Sequence, residues 1–299
     1  MALVTCVGLA VQDSVYSIDG ALAVGRKNFA MDTRLMGGGP AANAAVTVAA
    51  LGGEANFVSV LGDDLTADEI IDGLESRGVA TRRVRRNPKV DSPRSVVITS
   101  SDGERTIVNR TDHVLWEGVP AVSASDISGS GCVLVDLRWL EGATSAVERA
   151  AEAGIPTVVD YDLTDSDTPG SILELPSHVI FSEPALSRLT GLTDPRDAIE
   201  TVETGSGFAC VTLGQGGVLW RDGARTNHLD AFAVDASSTL GAGDVFHGAF
   251  ALGLAQGRDT RDNMKWSAAA AALTCRNGGG RPGIPTGSDV RAFLEEDRT

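Results

Sequence analysis

The stretch Ser238-Thr239-Leu240-Gly241-Ala242-Gly243-Asp244-Val245-Phe246-His247-Gly248 joins a run of small residues to an apolar pattern with helical spacing. The first turn of a helix has unpaired backbone N–H groups and a partial positive charge, so this stretch is suited to hold an anion. Asp244 falls in the predicted first turn, where its carboxylate could aim a hydroxyl group at a phosphoryl group. By itself, the stretch is equally typical of a glycine-rich loop that precedes a helix with an acidic first turn.

The composition, 42% hydrophobic and 22% charged over 299 residues, is typical of a globular protein with a substantial core. A net charge of −15 argues against nucleic acid and anionic membranes as partners, because both bind basic surfaces. No apolar run is long enough to span a membrane, and the first eight residues read as a strand rather than a signal peptide. We therefore expect a cytoplasmic protein. Its four cysteines show no metal-binding spacing and are interpreted as free thiols, mostly buried.

A second glycine-rich run lies near the start of the chain. Gly37-Gly38-Gly39-Pro40 precedes an alanine-rich helix predicted over 41–51, and Asp13 follows an apolar strand predicted over 3–9. Function is commonly found at the carboxyl end of such a strand.

Two segments of alternating polarity predict a small sheet apart from the rest of the chain. One is residues 14–36. The other is the pair 94–99 and 105–110, which flank an Asp-Gly turn within residues 101–104. No helix separates these strands, so we expect them to pair with each other within a single domain of residues 1–299.

From residue 130 onward, strands alternate with helical segments, and each strand ends at a polar residue or a glycine. This layout predicts an α/β fold with a mostly parallel sheet and a functional site along one edge. The chain then adds two strands that we predict to be antiparallel, followed by two helices. The predicted strands are 133–137, 157–160, 178–181, 208–214, 217–222 and 226–234, and the predicted helices are 143–153, 184–190, 195–204, 244–256 and 261–275.

Several common motifs are absent from the sequence. It contains no G-x-x-x-x-G-K-[ST] P-loop and no G-x-G-x-x-G turn after the first strand, which argues against a Walker-type NTPase and a standard dinucleotide-binding protein. It also lacks the H-E-x-x-H and G-x-S-x-G motifs of zinc proteases and serine hydrolases.

The two glycine-rich stretches, about two hundred residues apart, together resemble the two landmarks of the ribokinase-like (PfkB) carbohydrate kinases. The resemblance extends over the whole chain. It implies a Rossmann-like core, a β lid formed by approximately 14–36 and 93–111 that often makes a homodimer contact, and ATP-dependent phosphorylation of a sugar hydroxyl with Mg²⁺. It also implies a role for each matching residue. Asp244 would be the base, the amides of Gly241, Ala242 and Gly243 the anion hole, Asp13, Gly37, Gly38 and Asn43 the sugar site, and Thr212, Gly214 and Gly217 the nucleotide site.

The chain departs from the family pattern in two places. Ser238-Thr239-Leu240 replaces an Asp-Thr-Thr sequence, which leaves open the K⁺ site that many relatives build there. Ser182-Glu183-Pro184-Ala185 replaces an Asn-x-x-Glu sequence, and Glu183 would contact Mg²⁺ through water.

Four further strings resemble one branch of the family, the bacterial kinases of 6-deoxy-6-sulfofructose. In that branch a lysine, an asparagine and an arginine bind the sulfonate, and the matching residues here are Lys27, Asn109 and Arg138. A sulfonate requires charge-assisted donors, which these side chains could supply. Alternatively, Lys27 is a solvated lid charge, Asn109 a hairpin residue, and Arg138 a partner for Asp136 or Asp160. The strings are residues 136–139, 181–184, 243–248 and 279–285.

Three functions therefore remain open at this stage. The first is phosphorylation of the C1 hydroxyl of 6-deoxy-6-sulfofructose. The second is a fructokinase or ketohexokinase reaction on a neutral sugar, and the third is a catalytically silent sugar- or nucleotide-binding regulator, which would have no need of Asp244.

The roles of two further residues are also left open. His247 is either an acid–base group or a histidine packed under the site, and Arg281 either lies near the nucleotide or pins a loop.

Overall fold

The computed structural model describes residues 1–101, 105–164 and 170–297. Their strands and helices are numbered here in chain order. The strands are β1 (Leu3–Val7), β2 (Val11–Ile18), β3 (Ala30–Gly38), β4 (Glu54–Gly62), β5 (Val79–Asn87), β6 (Arg94–Ser100), β7 (Arg105–Arg110), β8 (Cys132–Asp136), β9 (Thr157–Tyr161), β10 (His178–Ser182), β11 (Phe208–Thr212), β12 (Val218–Asp222) and β13 (Arg225–Leu229). The helices are α1 (Pro40–Ala50), α2 (Leu65–Glu75), α3 (Ala124–Ile127), α4 (Leu140–Ala153), α5 (Ser171–Glu174), α6 (Glu183–Thr190), α7 (Pro195–Thr201), α8 (Ala242–Ala255), α9 (Thr260–Arg276), α10 (Gly280–Gly283) and α11 (Gly287–Glu296).

The main sheet has the strand order β13-β12-β11-β10-β9-β8-β1-β4-β5. The strands from β11 to β5 run parallel, and β12 and β13 extend the sheet in antiparallel fashion. Buried Val, Ile, Leu and Phe side chains on both faces are what a parallel sheet covered by helices requires. The predicted mostly parallel sheet with an antiparallel addition is therefore confirmed.

Helices cover both faces of this sheet and form two apolar cores. On one face, α1, α8 and α9 form a core with the sheet that includes Phe57 of β4 and Phe250 of α8. On the other face, α4, α6 and α7 pack around Trp139 and Phe181. The sequence predicts the functional site at the carboxyl ends of the central strands, among which β1 and β8 are neighbours.

A second sheet has the strand order β3-β2-β6-β7. Strands β2 and β6 run parallel, whereas the outer pairs are antiparallel. This is the small lid sheet that the alternating segments predict. Residues 102–104 of the predicted Asp-Gly turn lie outside the described residues.

The structure also bears on the predictions for the cysteines, for membrane-spanning helices and for the strands of the main sheet. Cys6, Cys132 and Cys210 are buried free thiols, as predicted, and Cys275 is a partly buried one. No helix within the described ranges is long and apolar enough to cross a bilayer. The sequence patterns missed β5, an arginine-rich strand at the edge of the main sheet.

Candidate active site

Helix α8 begins as the opening stretch predicts. Gly241 caps it in the left-handed conformation (φ +74°), and Asp244 lies in its first turn. Of the three amides predicted to form an anion hole, that of Ala242 donates to the Thr239 carbonyl at 3.3 Å. The first N–H groups of a helix have no partner within the helix, so the start of α8 is able to receive an anion.

Asp244 is held by a residue from the other glycine-rich stretch. The side-chain amide Nδ2 of Asn43, on α1, donates to Asp244 Oδ2 at 2.7 Å. Helices α1 and α8 pack against each other on the same face of the main sheet. The two landmark stretches of the sequence therefore meet at one carboxylate.

Arg281 lies behind this pair, on the short helix α10. Its side chain is almost completely buried, with 4% of the residue exposed. Nε donates to Asn43 Oδ1 at 2.8 Å, and Nη2 donates to the Gly38 carbonyl at 3.0 Å. The sequence left the role of this arginine open, and the structure places it next to Asn43 and the end of the lid strand β3.

Asp13 and the glycine run form the next part of the site. Asp13, on β2, accepts a hydrogen bond from Ser95 on β6. A Cβ atom on Gly38 would lie 2.1 Å from Asp13 Oδ2, and one on Gly37 would lie 1.8 Å from Arg281 Nη1. Glycine at both positions lets a carboxylate and a guanidinium group approach the backbone from either side. Burial raises the pKa of Asp13, and the Ser95 hydroxyl and Arg281 partly offset that effect.

Asp136 holds two loops and the start of a helix at this edge of the sheet. Its carboxylate accepts hydrogen bonds from the backbone amides of Leu9 (2.9 Å), Ala41 (3.0 Å) and Arg138 (2.9 Å). These amides belong to the loop after β1, the start of α1 and the loop after β8. A buried carboxylate with three donors is well satisfied, so Asp136 fixes where α1 begins relative to the sheet.

The surroundings of the Asp244 carboxyl shift its pKa. Burial and the nearby Asp160 carboxyl raise the pKa of Asp244 to about 7, although the Asn43 hydrogen bond opposes the shift. A base with a pKa close to neutral has the balance of ionised fraction and proton affinity that general base catalysis requires.

His247 lies under the site and not in it. Only 4% of the residue is exposed, and its Nδ1 lies 3.4 Å from Asp160 Oδ2. Burial lowers the pKa of His247 to about 4 and raises that of Asp160 well above its ordinary value. The arrangement favours the second of the two sequence interpretations, a neutral histidine packed beneath Asp244.

A comparison with known protein families identifies the family of this chain. The family described as pfkB family carbohydrate kinase matches residues 1–287. The chain belongs to the pfkB family of carbohydrate kinases.

Three pfkB relatives illustrate the match. The structure of a putative ribokinase from Agrobacterium tumefaciens has a TM-score of 0.95 at 33% identity and covers 100% of this chain and 99% of its own. That of Arabidopsis thaliana ribokinase complexed with ribose and ATP has a TM-score of 0.86 at 25% identity, with 98% of both chains covered. Deoxyribokinase from Salmonella typhi is 28% identical over 271 residues, 86% of this chain and 87% of that protein. The predicted ribokinase-like fold and ATP-dependent carbohydrate kinase activity are confirmed.

The pfkB comparison does not assign the sugar, and the three predicted sulfonate residues lie on separate elements. The guanidinium group of Arg138 donates to the Leu163 carbonyl at 2.7 Å and to Asp162 Oδ2 at 3.0 Å, with 34% of the side chain exposed. The alternative prediction of Asp136 or Asp160 as the partner is wrong, because the guanidinium group pairs with Asp162 instead.

Asn109 and Lys27 belong to the lid. Asn109, on β7, lies across from Ser95, which in turn lies across from Asp13, so the three share one face of the lid sheet. At the usual strand spacing, Asn109 is about 10 Å from Asp13. Lys27 is exposed in the loop between β2 and β3 and does not lie on a lid strand as expected. Among the described residues, no hydrogen bond or ion pair joins any two of Lys27, Asn109 and Arg138.

The predicted nucleotide residues follow β11. Thr212 ends that strand, and its hydroxyl donates to the Phe181 carbonyl at 3.4 Å. Gly214 opens a 3₁₀ turn. Gly217 has φ +82°, and a Cβ there would lie 2.1 Å from the Leu229 carbonyl oxygen, so close packing against β13 accounts for this glycine.

Glu183 is the candidate contact for Mg²⁺. It is the first residue of α6, directly after β10, and its side chain is exposed. Within the described ranges, no cluster of three or more His, Cys, Asp or Glu side chains could hold a metal by itself. Mg²⁺ commonly keeps several waters and binds through one or two carboxylates and substrate phosphates, so a single exposed glutamate fits a water-mediated contact.

Proposed function

We propose that this carbohydrate kinase transfers the γ-phosphoryl group of ATP to the C1 hydroxyl of 6-deoxy-6-sulfofructose, giving 6-deoxy-6-sulfofructose 1-phosphate. The kinase reaction is supported by the Asp244 carboxylate at the start of α8, held by Asn43 and beside Asp13 and Arg281. The choice of an anionic sugar is supported by one observation above the others. Arg138 is a partly exposed cation at the carboxyl end of a central strand, in a chain of net charge −15.

In the proposed mechanism, Asp244 accepts the proton of the C1 hydroxyl as its oxygen forms a bond to the γ-phosphorus. The bond from that phosphorus to the β–γ bridging oxygen breaks, and ADP leaves with the electron pair. The amides of Gly241, Ala242 and Gly243 stabilise the negative charge on the transferring phosphoryl oxygens. Mg²⁺, contacted through water by Glu183, would neutralise phosphate charge.

The sugar in this proposal is held at both ends. Asp13 and the backbone around Gly37 and Gly38 bind its hydroxyl groups near the base. Arg138, with Asn109 and Lys27 from the lid, binds the sulfonate at the far end. Arg138 then has to bind the sulfonate and Asp162 at the same time. The five N–H donors of its guanidinium group allow more than one acceptor.

The second candidate is a kinase of a neutral ketose such as fructose. The Arg138–Asp162 ion pair favours it, since an arginine already paired needs no anionic ligand. The third possibility, a catalytically silent regulator, is not supported, because the chain belongs to a family of carbohydrate kinases and retains Asp244 at the start of α8.

The substrate is tested by comparing kcat/KM for 6-deoxy-6-sulfofructose and fructose in the wild type and in Arg138→Ala. If Arg138 binds the sulfonate, the variant should lose about 10- to 100-fold in kcat/KM for the sulfonated sugar and much less for fructose. Arg188→Ala is a matched control, because Arg188 also bonds a backbone carbonyl near this edge, that of Thr164. Turnover of fructose with no turnover of sulfofructose would refute the sulfonate assignment. Equal losses for both sugars would make Arg138 structural.

We also propose that the lid forms a homodimer contact through the face opposite Asp13. That face carries exposed apolar side chains, among them Leu35 (68% exposed) and Val108 (61% exposed). Contiguous exposed apolar residues are typical of an interaction surface. Analytical ultracentrifugation should give a dimer for the wild type and a monomer for Val108→Glu. A monomeric wild type would refute this contact.

A further inference from the structure

We infer that Arg281 is a positioning residue for the general base: it fixes the amide orientation of Asn43 and thereby the carboxylate of Asp244. The inference rests on the proposed role of Asp244 in phosphoryl transfer. It starts from the buried guanidinium group, which has one donor on Asn43 Oδ1 (2.8 Å) and another on the Gly38 carbonyl (3.0 Å).

The amide of Asn43 has two different ends, and each end faces a partner that accepts only one of them. Nδ2 donates to the Asp244 carboxylate, while Oδ1 accepts from Arg281 Nε. A flipped amide would set Oδ1 against a carboxylate oxygen and Nδ2 against an N–H donor. Arg281 always donates, so it leaves a single favourable orientation, the one that directs an N–H group at Asp244.

The charge of Arg281 acts in the same direction. Burial and the neighbouring Arg77 lower the pKa of Arg281 to about 10, which still leaves it protonated at neutral pH. Asp13 and Asp244 are the carboxylates whose charges oppose that shift. A buried cation beside these two groups favours their ionised forms, which the sugar site and the base both require.

The shape of the side chain explains why an arginine occupies this position. Its Nε and Nη2 donors point to two acceptors on different elements, Asn43 on α1 and the Gly38 carbonyl at the end of β3. Gly37 provides the space for Nη1, because a Cβ there would overlap it. The compact ammonium group of a lysine could keep the charge but not both directed hydrogen bonds.

The test uses Arg281→Met and Arg281→Lys, with Arg77→Met as the control. Arg77 is the neighbouring cation, and among the described residues its side chain donates only to the backbone carbonyl of Arg281. The first readout needs no substrate: the pKa of Asp244 from ¹³C NMR of its carboxyl carbon, assigned with Asp244→Asn. Arg281→Met should raise this pKa by about one unit or more, Arg281→Lys should raise it less, and Arg77→Met should not raise it.

The second readout is kinetic. Arg281→Met and Arg281→Lys should both lower kcat at pH 7, with little change in KM for ATP. We expect the loss in the lysine variant as well, because lysine restores the charge but not the orientation of Asn43. In an Asn43→Ala background, Arg281→Met should raise the pKa of Asp244 by less than in the wild type, which is the coupling that two residues in one network show.

Two results would overturn the inference. One is an unchanged Asp244 pKa and kcat in Arg281→Met with only a lower Tm, which would make Arg281 a loop anchor. The other is an equal pKa shift with and without Asn43. If Arg281→Met fails to fold, the same comparisons are made with Arg281→Lys. A shifted pKa in a protein that phosphorylates no sugar would keep the positioning role and refute the proposed function.

Discussion

The side-chain amide of Asn43 donates a hydrogen bond of 2.7 Å to the carboxylate of Asp244, across 201 positions of sequence. This bond joins the start of α1 to the start of α8. Asn43 also accepts a hydrogen bond from Arg281, and the buried Asp136 accepts one from the backbone amide of Ala41 in the first turn of the same helix. Burial and the nearby Asp160 carboxyl raise the pKa of Asp244 to about 7, and the hydrogen bond from Asn43 opposes this shift.

The pH dependence of the reaction should report this pKa. A base must be ionised to accept a proton, so kcat/KM should fall with decreasing pH below about pH 7. A hydrogen bond to the ionised carboxylate lowers its pKa, so Asn43→Ala should move the acid limb upward by about one unit. The measurement is a pH profile of kcat/KM for both proteins with the same substrates, which removes the ionisation of the substrates from the comparison. An unshifted limb would mean that another group controls it.

Replacing Asp244, the proposed base, should remove most of the turnover. We expect Asp244→Asn to lower kcat by about 10²- to 10⁴-fold, because the isosteric amide cannot accept the hydroxyl proton. ADP binding, measured by isothermal titration calorimetry, should stay close to that of the wild type. Asp235→Asn, an exposed carboxylate in the preceding loop, is the control and should retain activity. Normal turnover by Asp244→Asn would refute the mechanism.

Most of the fold could be predicted from the sequence because the patterns of its strands and helices are local. Apolar runs that end in polar residues identified the parallel strands, and alternating segments identified the lid. Strand β5 was missed because its arginines hide the pattern. Arg83 and Arg85 pair with Asp126, and Arg86 pairs with Asp68, so their charges are satisfied by residues outside the strand. Such pairing becomes visible only in three dimensions.

The sequence predicted only part of the candidate site, because its other contacts form between residues that are distant in sequence. The motif placed Asp244 at a helix start, and the resemblance placed Asp13, Asn43 and the glycines near it. The role of Arg281 depends on burial and on acceptors more than two hundred positions away, which no local spacing encodes. An arginine between glycines and a proline was the only signal. The pairing of Arg138 with Asp162, which lies in the loop after β9, depends equally on the fold.

Gly39, the last glycine of the run Gly37-Gly38-Gly39, should be required by close packing as well as by its backbone angle. Gly39 has φ +96°, and a Cβ there would lie 2.3 Å from the Leu9 carbonyl oxygen. Gly52 has a similar φ, +91°, with no atom within 4 Å of its Cβ position, so Gly52→Ala measures the angle alone. We expect Gly52→Ala to cost about 1–2 kcal/mol in the free energy of unfolding, and Gly39→Ala clearly more. Urea denaturation of both variants provides the comparison. Equal costs would show that the loop after β1 yields to the added methyl group.

The buried His247 should make the protein less stable in mild acid. Its pKa is about 4 in the folded protein, against an ordinary value of 6.5, so between these values the unfolded chain binds a proton that the folded chain does not. Stability from this group is therefore complete above about pH 6.5 and is lost as the pH falls towards 4. At pH 5 the loss amounts to about 2 kcal/mol.

The test of this effect compares the wild type with His247→Asn, which cannot titrate. At pH 8 the difference in the free energy of unfolding measures the packing cost of the substitution alone. At pH 5 the wild type should have lost about 2 kcal/mol more than the variant, so the difference between them shrinks by that amount. Asp160, whose raised pKa acts in the opposite direction, is present in both proteins and does not produce this change by itself. Parallel stability curves from pH 8 to pH 5 would mean that folding does not lower the pKa of His247. At pH 5 it would then be protonated in the folded protein and form an ion pair with Asp160 beneath Asp244.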